Sequence, residues 1–422
     1  MLYIRGLEYL LKTRERVLCR APFANLYINP NGDVFCCFAN KNKLGSILEK
    51  PLKEIFYNEK LKTIRENVLR IKLDKYCGYC KNKILERNIK QVYAYRYRFL
   101  DANYKNPVLK SLELQLYNDC NANCVMCVVS KEKYKRLSID FILKEIEPLI
   151  IGLKNISLSG GEPFYIKKYY DLIEYILKKN PNIIISINTN GSIYNEEVEE
   201  LLNKGKFNIT VSIDSINSST FENIRKGLSF SSIYENLFKF KNYVDKKGTS
   251  YNVKTCILKE NIYELFDLFV FFEKLGIYII LNEVFYPIEH SLYSLPSFNL
   301  KKILNFLDEK DIYKSSNLGL KNYSTWLELK KLIKKYYVNA KKFENFLNNK
   351  KNLDKTIQKI LNKIEYEVLK DYYFNNVLIS DKTKKLKFLK LLITAPLERL
   401  IPEIEYRSNE MFFLLDDILM KI

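Results

Sequence analysis

Three cysteines in the run Asn118-Asp119-Cys120-Asn121-Ala122-Asn123-Cys124-Val125-Met126-Cys127 constrain this chain more than any other feature. They form a C-x3-C-x2-C array directly after the apolar stretch from Leu112 to Tyr117. The array offers three thiolates to one centre and leaves a fourth position open. Zinc sites need a fourth ligand, and no histidine follows before His290. An iron–sulfur cluster on three cysteines instead has one iron free for a small ligand.

Further groups arrive downstream in a fixed order, each at the end of an apolar, strand-like segment. Asn155 to Leu158 leads into Ser159-Gly160-Gly161-Glu162-Pro163, and Ile183 to Ile187 into Asn188-Thr189-Asn190-Gly191. Ile209 to Ile213 leads into Asp214-Ser215, with Arg225 eleven residues on from Asp214. Taken alone, the glycine pair reads as a turn, Ser212 and Asp214 as helix caps, and Arg225 as a solvated cation. In this order, after the cysteine array, they resemble the radical SAM family.

That resemblance implies a [4Fe-4S] cluster on Cys120, Cys124 and Cys127, whose free iron chelates the amino and carboxylate groups of S-adenosylmethionine. It places Gly160, Gly161, Glu162 and Pro163 in the glycine-rich motif, with Glu162 receiving the methionyl amino group. Asn188, Thr189 and Asn190 join the cofactor pocket, and Ser212 and Asp214 become partners of the ribose hydroxyls. Arg225 anchors the methionyl carboxylate, since guanidinium pairs with carboxylate bidentately.

A second cysteine set precedes the first. Ala24 to Ile28 and Val34 to Phe38 read as two strands joined at Asn29-Pro30-Asn31-Gly32, a strong hairpin signal. A helix begins near Pro51 and continues through Leu61, Ile64 and Leu69, and Cys77-Gly78-Tyr79-Cys80 closes the unit. The segment resembles a SPASM or Twitch auxiliary cluster domain. Cys19, Gly32 and Cys37 meet its C-x12-G-x4-C spacing, so the resemblance selects Cys19, Cys37, Cys77 and Cys80 as ligands of one auxiliary [4Fe-4S] cluster. A zinc knuckle on the same four thiols is the alternative. Strand alternation is expected to carry Cys36 to the other side. Auxiliary units of this kind usually follow the catalytic barrel, whereas this one precedes it.

From Leu112 onward strand-like segments alternate with helix-like ones such as Ile139 to Ile150 and Glu196 to Asn203, which predicts an α/β class with a parallel sheet. The family resemblance makes it a (β/α)6 partial TIM-type barrel, preceded by the small Cys-rich hairpin and helix domain and followed by a mainly helical C-terminal region. Beyond Pro287 helices are expected at Trp326 to Tyr337, Phe343 to Leu347 and Leu353 to Tyr366. The expected boundaries are 1–85 for the auxiliary domain, 86–110 for a basic aromatic linker, 111–288 for the core and 289–422 for the helices. Asn252, Lys254, Asn282 and Glu283 are candidates to complete the pocket. Cys256 reads as a small core residue or as a hydrogen donor. With His290 the single histidine, proton transfer falls to Glu, Asp, Lys or Tyr.

At 422 residues, 47% hydrophobic and 28% charged, the chain has the makeup of a soluble globular protein of two or three domains. No apolar run spans a membrane, and Met1-Leu2-Tyr3-Ile4-Arg5 lacks a secretory pattern, so a cytoplasmic location is expected. Most of the nine cysteines stand in short clusters and read there as metal ligands. The net charge of +20 is read first as a solvated basic surface. The run Tyr93-Ala94-Tyr95-Arg96-Tyr97-Arg98-Phe99 interleaves cations with rings and would suit single-stranded nucleic acid in a non-catalytic, metal-stabilised RNA-binding protein. The favoured reading is an enzyme that uses S-adenosylmethionine to abstract hydrogen from a small molecule such as a sugar or sugar nucleotide. A peptide- or protein-modifying maturase is second. The partners implied are that substrate and a reductant such as flavodoxin or ferredoxin, and nucleic acid is not expected.

Overall fold

In a computed structural model the residues described are 17–40, 42–73, 76–85, 92–129, 134–312, 316–348, 352–364, 366–397, 400–401 and 411–421. The expectation placed on Met1 to Arg5 lies outside them. The chain divides into two compact units, one made of 1–123, 129–212 and 227–252, the other of 124–128, 213–226 and 253–422.

The first unit is built on strands β1 (Asn25–Ile28), β2 (Asp33–Phe35), β3 (Gly45–Ser46), β4 (Ser111–Leu114), β5 (Asn155–Leu158), β6 (Ile184–Thr189) and β7 (Lys206–Ser212). Their lateral order is β3-β2-β1-β4-β5-β6-β7. The hairpin forms where expected, with Tyr27 opposite Phe35 and Ile28 opposite Val34. Asn29 shapes its turn: the Asn29 Oδ1 accepts from the N–H groups of Asn31 (3.0 Å) and Asp33 (2.9 Å). Gly32 follows at φ +80°, a conformation that suits glycine.

The hairpin does not stand apart from the parallel strands. β1 pairs in parallel with β4, Asn25 beside Ser111 and Ile28 beside Leu114, and thereby extends the sheet. β4 to β7 are parallel, so their C-terminal ends share one edge. One face is apolar and buried under the crossover helices, through Leu112, Leu114, Ile156, Leu158, Ile185, Ile187, Ile209 and Val211. The other carries polar residues at every second position: Glu113, Ser157, Ser186, Asn188, Asn208, Thr210 and Ser212.

The helices in this unit are α1 (Ala21–Ala24), α2 (Leu52–Phe56), α3 (Glu59–Leu69), α4 (Gly78–Leu85), α5 (Ile139–Ile150), α6 (Lys167–Lys179) and α7 (Glu196–Asn203). The expected single helix after Pro51 is two, because Asn58 interrupts it. The Asn58 Oδ1 accepts from the Leu61 N–H at 2.8 Å and caps a new helix start, while its amide donates to the Leu44 carbonyl at 3.0 Å.

The second unit holds α8 (Ser218–Ile224), most of β8 (Tyr251–Ile257), α10 (Leu265–Lys274) and β9 (Tyr278–Glu283). Between α8 and β8 the chain returns to the first unit for α9 (Phe230–Lys247). After β9 come α11 (Ser297–Asp308), α12 (Asn317–Asn348), α13 (Leu353–Leu361), α14 (Glu367–Tyr372), α15 (Lys382–Thr394) and α16 (Met411–Lys421). The parallel α/β architecture and the mainly helical C-terminal region are as expected. The two helices expected at Trp326–Tyr337 and Phe343–Leu347 are one, α12. Its buried stripe runs Trp326, Leu329, Ile333, Tyr336, Ala340, and at Ala340 it continues through a side chain too small to stand out in an apolar pattern. The helix expected at Leu353–Tyr366 stops at Leu361, and α8 and α14 were not anticipated. No helix of the described residues is long and apolar enough to cross a membrane.

Candidate functional site

In the first unit the Gly160-Gly161 turn lies against the backbone that leads to the first array cysteine. A Cβ on Gly161 would stand 1.9 Å from the Asp119 carbonyl oxygen, and one on Gly160 would stand 2.4 Å from Gln115 Cγ. Both glycines have positive φ, +84° and +49°, so only glycine fits twice over. Glu162 is fully buried. Its Oε1 accepts from the Thr189 hydroxyl (2.7 Å) and the Phe164 N–H (3.1 Å), and its Oε2 from the Asn190 N–H (2.5 Å). The carboxylate thus ties the end of β6 to the glycine turn. Pro163 is buried beside it, and Asn188 is half-buried on the polar face of β6.

Asn190 reaches on to the cysteine loop. Its amide donates to Asn121 Oδ1 at 2.8 Å and lies 4.0 Å from the Cys120 sulfur. Asn121 in turn donates to Ser192 Oγ at 2.9 Å. Asn121 was missed in the sequence, although its place directly after Cys120 was a signal.

Cys124 and Cys127 belong to the second unit. The Cys127 N–H donates to the Cys124 carbonyl at 3.0 Å, and the Val125 N–H to the Ile224 carbonyl at 2.9 Å. Arg225, at the end of α8, places Nη1 4.0 Å from the Cys124 sulfur and Nε 2.8 Å from Asp214 Oδ2. Asp214 is fully buried, and its Oδ1 also accepts from the Cys256 N–H at 2.7 Å. Burial lowers the Arg225 pKa most, but the Asp214 carboxylate together with the Cys124 and Cys256 sulfurs holds the guanidinium above its ordinary value. The two residues expected to meet ribose and carboxylate separately are therefore partners of one another. Cys256 packs with Ile224, Leu258, Val284, Val125 and Met126, and burial, with the Asp214 charge, pushes its thiol up to about 12. Of the pocket candidates, Asn252 and Lys254 are half-buried on β8, Asn282 is half-buried on β9, and Glu283 accepts a short hydrogen bond from the Tyr336 hydroxyl. His290 Nδ1 lies 2.5 Å from Glu260 Oε1.

The earlier cysteines converge in the first unit. Cys19 feels the charge of Cys37, Cys80 and Cys77; Cys77 feels Cys80 and Cys37; Cys80 feels Cys37. Every pair among the four is thus in electrostatic reach. Burial and these like charges push Cys19 and Cys77 well up and Cys80 up to about 12. Backbone N–H groups counter that penalty: Ala21 donates toward Cys19, and Tyr93 and Ala94 toward Cys80. Such donors stabilise metal-bound thiolates. Among the described residues no three or more His, Cys, Asp or Glu side chains close up as the ligands of a single metal ion would.

Cys36 is not carried away from this set. β2 ends at Phe35, so strand alternation no longer governs it. It is 2% exposed, with its thiol raised by contact with the Cys37 sulfur, then by burial, then by the charges of Cys37, Cys77 and Cys19.

The segment 93–99 wraps the same region. The guanidinium of Arg96 lies 4.4 Å over Tyr93 and that of Arg98 3.8 Å over Tyr95, so these rings stack on the chain's own cations. Tyr97 is buried and its hydroxyl donates to Glu113 Oε1 at 2.9 Å. Burial, opposed by these donors, raises the Glu113 pKa. Neither the pair nor Asn25, another polar neighbour of Glu113, had any signature in the sequence.

Residues 114–269 match the radical SAM superfamily. This chain carries a radical SAM domain. Residues 19–81 match an iron–sulfur cluster-binding domain, the SPASM type, so the radical SAM protein carries an auxiliary cluster domain ahead of its core. The two matched domains imply a [4Fe-4S] cluster, S-adenosylmethionine and an auxiliary iron–sulfur cluster as cofactors. Among curated relatives, the GTP 3',8-cyclase of Aquifex aeolicus is 28% identical over 178 residues, 40% of this chain and 54% of that protein. A probable GTP 3',8-cyclase of Methanocaldococcus jannaschii is 28% identical over 209 residues, 48% of this chain and 67% of that protein. The chain thus spans about half to two thirds of the length of these two relatives. Among solved structures, native anSMEcpe with bound AdoMet and a Cp18Cys peptide aligns at TM-score 0.35 and 20% identity, over 48% of this chain and 60% of that one. Streptococcus suis SuiB bound to S-adenosylmethionine aligns at 0.37 and 16%, over 61% and 59%.

Proposed function

We propose that this radical SAM enzyme acts on a polar small molecule, a sugar or nucleotide, and abstracts hydrogen from one of its C–H bonds. Cys120, Cys124 and Cys127 would hold the catalytic [4Fe-4S] cluster, and Cys19, Cys37, Cys77 and Cys80 the auxiliary one. With the catalytic cluster, S-adenosylmethionine would supply the radical chemistry for hydrogen abstraction. The protein's part is orientation. Glu162 fixes the end of β6 against the glycine turn, Asn190 and Asn121 brace Cys120, and Arg225 on Asp214 braces Cys124.

The observation that carries the substrate class is the polar face of β5 to β7. Ser157, Asn188, Thr210 and Ser212 stand there half-buried, and their side chains have no hydrogen-bond partner among the described residues. Neutral hydroxyls and amides in a row suit a polyhydroxylated ligand, since they both donate and accept without demanding a counter-charge. The nucleotide named in the two relatives' activity is of this kind. A flavodoxin or ferredoxin in the cytoplasm would supply the electron.

The test is anaerobic reconstitution with iron and sulfide, then S-adenosylmethionine and dithionite, with 5′-deoxyadenosine measured alone and in the presence of GTP, sugar nucleotides or peptides. Release stimulated by a nucleotide or sugar nucleotide is expected. Stimulation by peptides alone would overturn the substrate class, and no release at all would overturn the activity.

A further inference from the structure

The auxiliary cysteine set contains a fifth thiol that the four-ligand reading does not use. Cys36 is adjacent in the chain to Cys37 and buried at 2% exposure, among the same side chains. Its sulfur accepts a hydrogen bond from Asn40 Nδ2 at 3.2 Å, and its carbonyl accepts one from Asn25 Nδ2 at 3.1 Å. Asn40 is fixed in turn, because its Oδ1 accepts from the Asn42 N–H at 2.8 Å. A buried thiol whose sulfur is already an acceptor keeps its own S–H to give, and buried donors are rarely left without an acceptor. The neighbouring Cys37 sulfur is the acceptor at hand.

We propose that Cys36 is a positioning residue for the auxiliary cluster, a neutral thiol that donates its S–H to the iron-bound sulfur of Cys37 and thereby raises the reduction potential of that cluster. A hydrogen bond to a ligand sulfur withdraws electron density and favours the reduced, more negative state. The polar fixation of Cys36 by Asn40 and Asn25, with Asn42 holding Asn40, is what an aimed donor requires. This inference rests on the auxiliary-cluster reading above.

The experiment uses the full chain with Cys120, Cys124 and Cys127 replaced by Ala, so that only the auxiliary cluster is loaded. Iron content and an anaerobic redox titration followed by electron paramagnetic resonance are compared for Cys36, Cys36→Ala and Cys36→Ser in that background. Expected are equal iron in all three, a lower midpoint potential for Cys36→Ala, and a value closer to the parent for Cys36→Ser, whose hydroxyl can still donate. An unchanged potential in Cys36→Ala overturns the proposal. Iron lost from both variants while the parent background holds it also overturns it, because Cys36 would then be a ligand. A parent background that binds no iron would instead mean that the auxiliary-cluster reading has failed.

Discussion

The two cysteine regions of this chain solve different problems. The auxiliary set gathers four thiols, all within electrostatic reach of one another, and meets their buried charge with backbone N–H groups from Ala21, Tyr93 and Ala94. The C-x3-C-x2-C loop offers three, and the groups that approach it are side chains: Asn190 toward Cys120 and Arg225 toward Cys124. A closed set saturates its cluster and suits electron storage. An open set leaves one iron for a ligand, and side chains held by further side chains can place that ligand.

The largest effect should come from the open set. Replacing Cys120, Cys124 and Cys127 together with Ala is expected to abolish S-adenosylmethionine cleavage and to remove roughly half of about eight irons per chain. Retained cleavage would collapse the distinction between the regions. Next, Cys37→Ala should lose the auxiliary cluster and Cys36→Ala keep it, read by iron content and spectroscopy on each single variant; equal loss would make the closed set a five-thiol site.

A third test concerns the bracing of the open set. Arg225→Ala strands the fully buried Asp214 without its cation, which is expected to cost about 3–5 kcal/mol of stability in denaturant unfolding of the apo-protein. A variant as stable as the parent would show that Arg225 serves only the ligand. The smallest effect is expected for Glu162→Gln, which keeps the shape but weakens three hydrogen bonds to a carboxylate. S-adenosylmethionine binding should fall by roughly tenfold, about 1.4 kcal/mol, in anaerobic titration calorimetry with both clusters assembled. Unchanged affinity would place the methionyl group away from the β6 end.

The sequence carried elements well where periodicity was strong: the strand Asn155–Leu158 and the helices Ile139–Ile150 and Glu196–Asn203 have the bounds expected of them. It also pointed to Cys19, Cys37, Cys77 and Cys80, which the fold brings within reach of one another. What it could not carry were pairings between distant polar residues. Asp214 and Arg225 each looked like a ligand contact, and nothing in either segment says that they meet. Cys36 shows the complementary failure. An alternation argument holds only while the strand lasts, and β2 ends one residue before it. Glu113 reads as an ordinary exposed position in an alternating strand, and only the fold shows Tyr97 and the Phe38 N–H closing over it.

The parallel seam between β1 and β4 has a consequence for how the chain can be cut. Without the cysteine-rich N-terminal segment, β4 would become a bare sheet edge, its N–H and C=O groups facing water where Ala24 and Ile28 now bond to Lys110 and Gln115. Open edges recruit other strands. The segment of the auxiliary cluster domain is therefore also the guard of the sheet's margin, and a core expressed without it should aggregate even where every residue of the three-cysteine loop is intact.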